Sequence, residues 1–186
     1  LAYLAAAGSE GVTLAVAQFD DADNMTDRLA ALRVISWEGD DTQRASTLQT
    51  FYDDWRSEAL VVNQWFQVQA CIPDAQGLER VQSLMSHDDF DLRNPNKVRA
   101  LVGGFASNNP VNFHRNDGAG YEFLADIVVE LDARNPQIAS RLLAPLTKWR
   151  NYPNRAELMC KALERIAAQT ELSPDVFEVV NKALKN

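Results

Sequence analysis

The sequence predicts an all-α fold built from antiparallel helix pairs, and three observations carry that prediction. Apolar residues recur three and four positions apart along nearly the whole chain. No stretch shows the sustained apolar–polar alternation of a half-buried strand. The periodic segments are joined by short polar turns, the connection that folds one helix back on the last.

The elements follow in order. The opening Leu1–Gly8 reads as the end of a helix cut from something larger, since it has neither an initiator Met nor a basic n-region. After the Gly8-Ser9 break, Val12, Val16 and Phe19 mark a helix with Ser9 as its expected N-cap. Asn24-Met25-Thr26-Asp27 opens the next, with the stripe Leu29, Leu32 and Ile35. The acidic break Gly39–Asp41 precedes a third, carrying Leu48, Phe51, Tyr52 and Trp55. The pattern from Val61 through Trp65, Phe66, Val68 and Gln69 runs to Cys71 and ends before Pro73, because the residue ahead of proline avoids the helical region. Leu78, Val81, Leu84 and Met85 mark another helix, and Asn94-Pro95-Asn96 starts one through Val98, Leu101, Val102 and Phe105. Four more are expected at Tyr121–Leu131, Pro136–Trp149, Arg155–Ala168 and Pro174–Leu184. Pro136 and Pro174 sit in first turns behind capping Asn135 and Ser173, where a missing N–H costs nothing. About ten helices of this kind stack into a curved, HEAT/armadillo-like superhelix with a concave face. No repeat of roughly 34 or 40 residues aligns, so the expectation is repeat-like architecture in a single domain, residues 1–186.

Composition narrows the function. The formal charge of −8 argues against nucleic acid or an anionic membrane surface as partner. No apolar run approaches the roughly 20 residues of a membrane span. Cys71 and Cys160 are too few and too far apart for a disulfide framework, so a reducing, cytoplasmic compartment is expected. The four tryptophans are expected in the core.

Sequence signatures of catalysis are missing. His87 and His114 each lack a second histidine at the spacing that a zinc site on one helix needs. There is no GxSxG elbow, and Cys71 has no local nucleophile signature, so a small buried thiol is the better reading. Gly103-Gly104 lies inside a helical pattern with no strand before it, which makes it a place for close backbone approach rather than a phosphate loop. The stretch NFHRNDGAGYEF, residues 112–123, has the ingredients of an active-site loop. Its Asn-Asp-Gly and Gly-Ala-Gly runs are explained by turn chemistry alone, with His114 a polar group near a helix end.

Four strings raise a resemblance: DNMTDRLAAL (23–32), RNPNKVRALVGGF (93–105), FHRNDGAGYEFLADIV (113–128) and ARNPQIASRLLAPL (133–146). In this order and spacing the chain resembles the C-terminal domain of the bacterial aminopeptidase N family, alanyl aminopeptidases among the zinc-dependent gluzincins. The likeness spans nearly the whole chain and is weakest at 34–47 and 156–168. Lys97 stands where the family pattern has Arg, with the charge retained. The resemblance implies an all-helical superhelix over a thermolysin-like catalytic domain, closing the chamber where N-terminal residues are cut from peptides. It also implies that zinc, its HExxH ligands and the GxMEN motif lie upstream of this segment. The catalytic domain of the same chain and peptide substrates are then the partners.

On the helix after Pro136, Ile138, Leu142, Pro145, Leu146 and Trp149 form the apolar stripe. Arg141 lies about 80° from its centre, with Gln137 one turn earlier. Arg99 sits similarly at the edge of the Val98, Leu101, Val102 and Phe105 face. Geometry alone leaves open a snorkelling arginine that covers its own helix. The resemblance implies that Arg99 and Arg141 face the chamber and, with Gln137, meet the peptide beyond the scissile bond. Asn94 and Asn96 are expected as helix caps. A freestanding helical-repeat module that grips a protein partner is the competing function. The segment on its own is expected to bind no stoichiometric zinc and to hydrolyse no aminoacyl anilide; metal analysis that finds one zinc per chain would overturn this.

Overall fold

A computed structural model describes residues 2–185, and every regular element among them is helical. The first six helices are α1 (Ala2–Ala7), α2 (Ser9–Asp21), α3 (Met25–Glu38), α4 (Asp41–Trp55), α5 (Ala59–Ala70) and α6 (Gly77–Leu84). A long interrupted helix follows: α7 (Pro95–Val98), a π turn (Arg99–Gly103) and α8 (Gly104–Asn108). Then come α9 (Pro110–Phe113), α10 (Ala119–Asp132), α11 (Pro136–Leu142), a 3-10 segment (Leu146–Asn151), α12 (Ala156–Ala167) and α13 (Pro174–Lys185). From α1 to α5 each helix packs against the next in sequence, and α10–α13 form a second mutually packed group. This is the helical superhelix that the periodicity predicts.

Helix starts follow local chemistry. Asn24, Asn94 and Asn135 accept from backbone N–H groups of the first turns of α3, α7 and α11. Asp40 and Gln43 form a reciprocal capping box on α4. Ser173 accepts from the Val176 amide while its own amide donates to the buried Asp132 carboxylate. Two caps differ from expectation. Ser9 is the first residue of α2 and makes no cap bond, because the break falls on Gly8 at φ 152°. The Asn96 side chain accepts from Arg99 Nη1 at 3.2 Å instead of capping a backbone N–H.

The expected helix Pro136–Trp149 divides at Leu142. Pro145 has no N–H to give the Arg141 carbonyl and its ring crowds that carbonyl, so the chain tightens ahead of it. Leu143 bonds back to Ser140 and Ala144 to Arg141, each three residues earlier, and the chain continues as the 3-10 segment.

The core is continuous from Ala5 to Ala183, and Val98, Leu101, Val102 and Phe105 lie fully inside it. Of the tryptophans, Trp65 is buried and Trp55 and Trp149 pack against the core, but Trp37 is 47% exposed at the end of α3. A buried amide pair ties the centre together. Asn109 Nδ2 donates to the carbonyls of Ala70 and Ile72, both at 2.9 Å. Asn112 Nδ2 donates to the Asp74 carbonyl at 2.9 Å and to Asn109 Oδ1 at 3.1 Å. A Cβ at Gly77 would collide with the Asn112 amide, so that position needs glycine.

Residues 112–123 are a helix connection. His114 ends α9, Gly118 at φ 75° supplies the left-handed turn, and α10 begins at Ala119. His114 Nδ1 lies 2.8 Å from the Tyr121 hydroxyl, and its ring stacks on Tyr152 with centroids 4.2 Å apart. Burial, with the Arg155 charge beside it, holds His114 below the usual histidine range, and burial pushes Tyr121 up to about 12. The hydrogen bond thus joins a protonated phenol and an imidazole whose neutral form burial favours.

Two outcomes follow from this packing. Leu101→Ala, fully inside, and Leu142→Ala, 6% exposed, are each expected to cost about 2–5 kcal/mol of stability in urea melts, and unchanged midpoints would mean the apolar faces are misassigned. Because the folded His114 titrates below the unfolded value of 6.5, the unfolded chain takes up its proton first on acidification. Its contribution to stability is whole above that value and lost as pH falls toward the lower folded value. Stability measured at pH 7 and pH 5 should therefore drop less in His114→Gln than in the parent chain.

Candidate functional site

The cleft of interest arises where the interrupted helix meets α11. In the π turn the Gly104 N–H donates to the Arg99 carbonyl five residues back, which widens the helix there. Gly103 faces Leu142 of α11, and Gly104 faces Ala70 and Gln67 of α5. A Cβ at either glycine would meet these neighbours at 3.5–3.7 Å, ordinary contact, so close approach does not require glycine at this pair. The tight approaches are elsewhere: at Gly11 against the Leu4–Ala5 backbone, at Gly39, at Gly77, and at Gly120, where a Cβ would lie 2.5 Å from the Phe113 carbonyl oxygen.

Arg99 and Arg141 line the same cleft of about 280 Å³, together with Gln67, Gly103, Gly104, Ser107, Asn108 and the apolar Ile138, Leu142 and Pro145. Both arginines are exposed. Neither takes part in an ion pair among the described residues. Arg99 is steadied by Asn96, which leaves further guanidinium donors free. Gln137 is exposed in the first turn of α11 and does not line the cleft: it shares a side of the helix with Arg141 but lies one turn earlier, ahead of the Ile138–Leu142 stretch that lines it. Gln67, Ser107 and Asn108 complete the polar wall. Nothing in their sequence spacing singled them out; Gln67 at the border of the α5 apolar face was the nearest to a signal.

No group of three His, Cys, Asp or Glu side chains that could hold a metal ion occurs among the described residues, so these residues do not fit the zinc that the resemblance implies. His87 is enclosed by Tyr52, Trp65 and Phe66, with ring centroids 5.2, 5.2 and 5.7 Å away. Its Nδ1 accepts from the Asp89 amide at 3.1 Å. Cys71 and Cys160 are free thiols, and burial raises both, the opposite of an activated nucleophile. No helix among the described residues is long and apolar enough to cross a membrane. The arrangement can hold an anion or a carbonyl in the cleft, and the described groups offer no chemistry upon it.

A family profile described as "Domain of unknown function (DUF3458_C) ARM repeats" matches residues 1–185. The chain is 44% identical over 177 residues to aminopeptidase N of Caulobacter vibrioides, covering 95% of this chain and 20% of that one. It is 43% identical over 168 residues to aminopeptidase N of Escherichia coli, covering 90% and 19%. A crystal structure of Legionella pneumophila aminopeptidase A in complex with aspartic acid superposes with a TM-score of 0.87 at 37% identity, over 94% of this chain and 21% of that one. The chain thus spans about a fifth of the length of the relatives it matches. Its profile, its helical stack and its alignment agree: the chain belongs to the DUF3458_C ARM-repeat family, the helical C-terminal domain of the aminopeptidase N group.

Proposed function

We propose that residues 1–186 are the single C-terminal helical domain of a cytoplasmic, zinc-dependent aminopeptidase that removes N-terminal residues from peptides. On this reading, zinc and the catalytic groups belong to the catalytic domain of the same chain, and this domain covers the chamber and contributes contacts to the peptide. The observation that carries it is the convergence of Arg99 and Arg141, forty-two positions apart, on one cleft without carboxylate partners. The aminopeptidase relatives favour it over a freestanding binding module. Two free thiols accord with a reducing compartment.

In this role each guanidinium meets peptide carbonyls or the terminal carboxylate beyond the scissile bond. The planar fork suits a carboxylate in a way that a point charge does not. The π turn sets the Arg99 side, and the end of α11 ahead of Pro145 lets it present Arg141. Gln137, outside the cleft, meets only a peptide long enough to run past its rim.

In the full-length enzyme, Arg99→Ala and Arg141→Ala should weaken hydrolysis of short peptides more than of single-residue anilides, which have no residue beyond the scissile bond. A hydrogen bond to a charged group is worth roughly 1.5–3 kcal/mol, so kcat/KM for a peptide should fall about tenfold or more. Lys at either position should restore part of the loss. Equal losses on peptide and anilide with a lowered Tm would make both arginines structural.

A further inference from the structure

A second groove opens on the other side of α5. Gln67 lines the arginine cleft, whereas Gln69, two residues on and about 200° around the helix, lines two adjoining clefts of about 640 and 530 Å³. Arg80 and Gln76 border both of these as well, so the clefts meet at these three residues. Arg44, Asp74 and the edge of Trp65 complete the larger one.

The polar groups here are unevenly satisfied. Asp74 accepts from Arg80, from Arg44 Nη1 at 3.4 Å and from the Gln76 amide at 3.1 Å. Burial opposes its charge, but Arg80, the Gln76 amide and Arg44 outweigh that and hold its carboxyl below the usual range. Arg44 is further occupied by Asp41 and by the carbonyls of Ser36 and Gly39. Arg80 is different: its Nη2 engages Asp74, while its Nη1 is buried without an acceptor. Gln69, only 8% exposed, likewise has an Nε2 with no acceptor. Both orphans are donors, and both belong to residues that border the same junction between clefts.

We propose that this junction is a carboxylate-binding site, in which one carboxylate oxygen accepts from Gln69 Nε2 and the other from Arg80 Nη1. A buried donor without an acceptor is costly, and an arriving carboxylate supplies the two acceptors that these donors lack. The terminal torsion of glutamine is broad and roughly two-fold, so a flip of the Gln69 amide turns Nε2 outward in place of Oε1, which has no hydrogen-bond partner to lose. Arg44 and Arg80 are balanced in the larger cleft by Asp41 and Asp74, so the preference for a carboxylate rests on the two donors without acceptors and not on local charge. Leu48 and Trp65 supply an apolar wall for the rest of the ligand. A free amino acid and a peptide C-terminus share this chemistry. The site does not depend on the arginine cleft or on the aminopeptidase reading, since it stands on other residues on another side of α5.

The test is calorimetric titration of the full-length protein with glycine, with N-acetyl-alanyl-alanine, whose blocked amine resists an aminopeptidase, and with the C-terminal amide of the same dipeptide. At least one carboxylate should bind, and the tighter of the two identifies the source. The amide should bind about tenfold more weakly than the blocked acid or worse. Gln69→Leu should weaken carboxylate binding by about the same factor without lowering Tm, since it removes a donor that has no partner in the free protein. Arg80→Lys keeps the charge but loses the fork, and gives the same loss should Gln69→Leu fail to fold. Amide and acid binding equally, or wild-type affinity in the variants, overturns the proposal. So does a crystal soaked in the blocked dipeptide that shows an ordered water on both donors and no carboxylate.

Discussion

Asn109 and Asn112 hold the two halves of the molecule in register. α5 ends at Ala70, where the last carbonyls of a helix lose their intrahelical partners. Asn109, 1% exposed, takes the Ala70 and Ile72 carbonyls, and Asn112, 2% exposed, takes that of Asp74. One short helix start thus satisfies the C-terminal end of α5 and the loop that follows it. Buried polar groups of this kind are demanding, because each bond lost leaves an orphan in a low-dielectric interior. The geometry is therefore narrow, and Gly77 is its complement: no side chain fits where the Asn112 amide rests. The same anchored loop carries Asp74, which organises Arg44 and Arg80, while the helix leading into Asn109 carries the π turn and Arg99. Both grooves inherit their shape from this pair of amides.

How Arg99 and Arg141 come to share a cleft is a matter of helix phase. A regular helix from Pro95 to Asn108 keeps one fixed relation between Arg99 and the buried Val98, Leu101, Val102 and Phe105. The π turn inserts extra backbone between Arg99 and Gly104, so the segment before it and the segment after it need not present the same face. Across the cleft, the helix holding Arg141 stops a residue later because of Pro145, and the 3-10 segment veers off to pack against α12 and α13. The widened turn and the shortened helix together leave a gap lined by two guanidiniums.

The parts of the fold that depend on neighbouring residues were legible in the sequence. Asn24, Asp40, Asn94 and Asn135 cap helices because an acceptor two or three residues ahead of an N–H is a local fact, and the apolar stripes give faces for the same reason. Pro145 also carried a local signal, and the continuous helix expected through it gave the apolar spacing too much weight over the missing N–H. Properties set by distant partners were not legible. Trp37 has the composition of a core residue and lies on the surface because no described element covers the end of α3. The arginine pair was found through its position at the edge of two apolar faces, aided by the family likeness, whereas Gln137, on the same side of α11, lies one turn beyond the cleft. The junction of Gln69 and Arg80 had no signature at all, since an unsatisfied donor is defined by what fails to surround it in space.

The charge distribution bears on what such grooves can select. With a net charge of −8, the chain as a whole repels anions, and this repulsion acts over roughly a Debye length of 8 Å at physiological salt. Long-range steering therefore does not favour a carboxylate ligand. Selection has to come from contact, which in the arginine cleft means guanidiniums free of carboxylate partners beside the apolar Ile138, Leu142 and Pro145. Arg28, Arg44, Arg80, Arg115 and Arg165 are drawn into ion pairs. Arg99 and Arg141 are not, nor are Arg33, Arg56, Arg150 and Arg155, although acidic residues outnumber basic ones by 26 to 18; what sets the pair apart is that both line one cleft. An acidic chain that leaves two exposed arginines unpaired in one cleft discriminates by shape and hydrogen-bond geometry, with little nonspecific attraction to set against it.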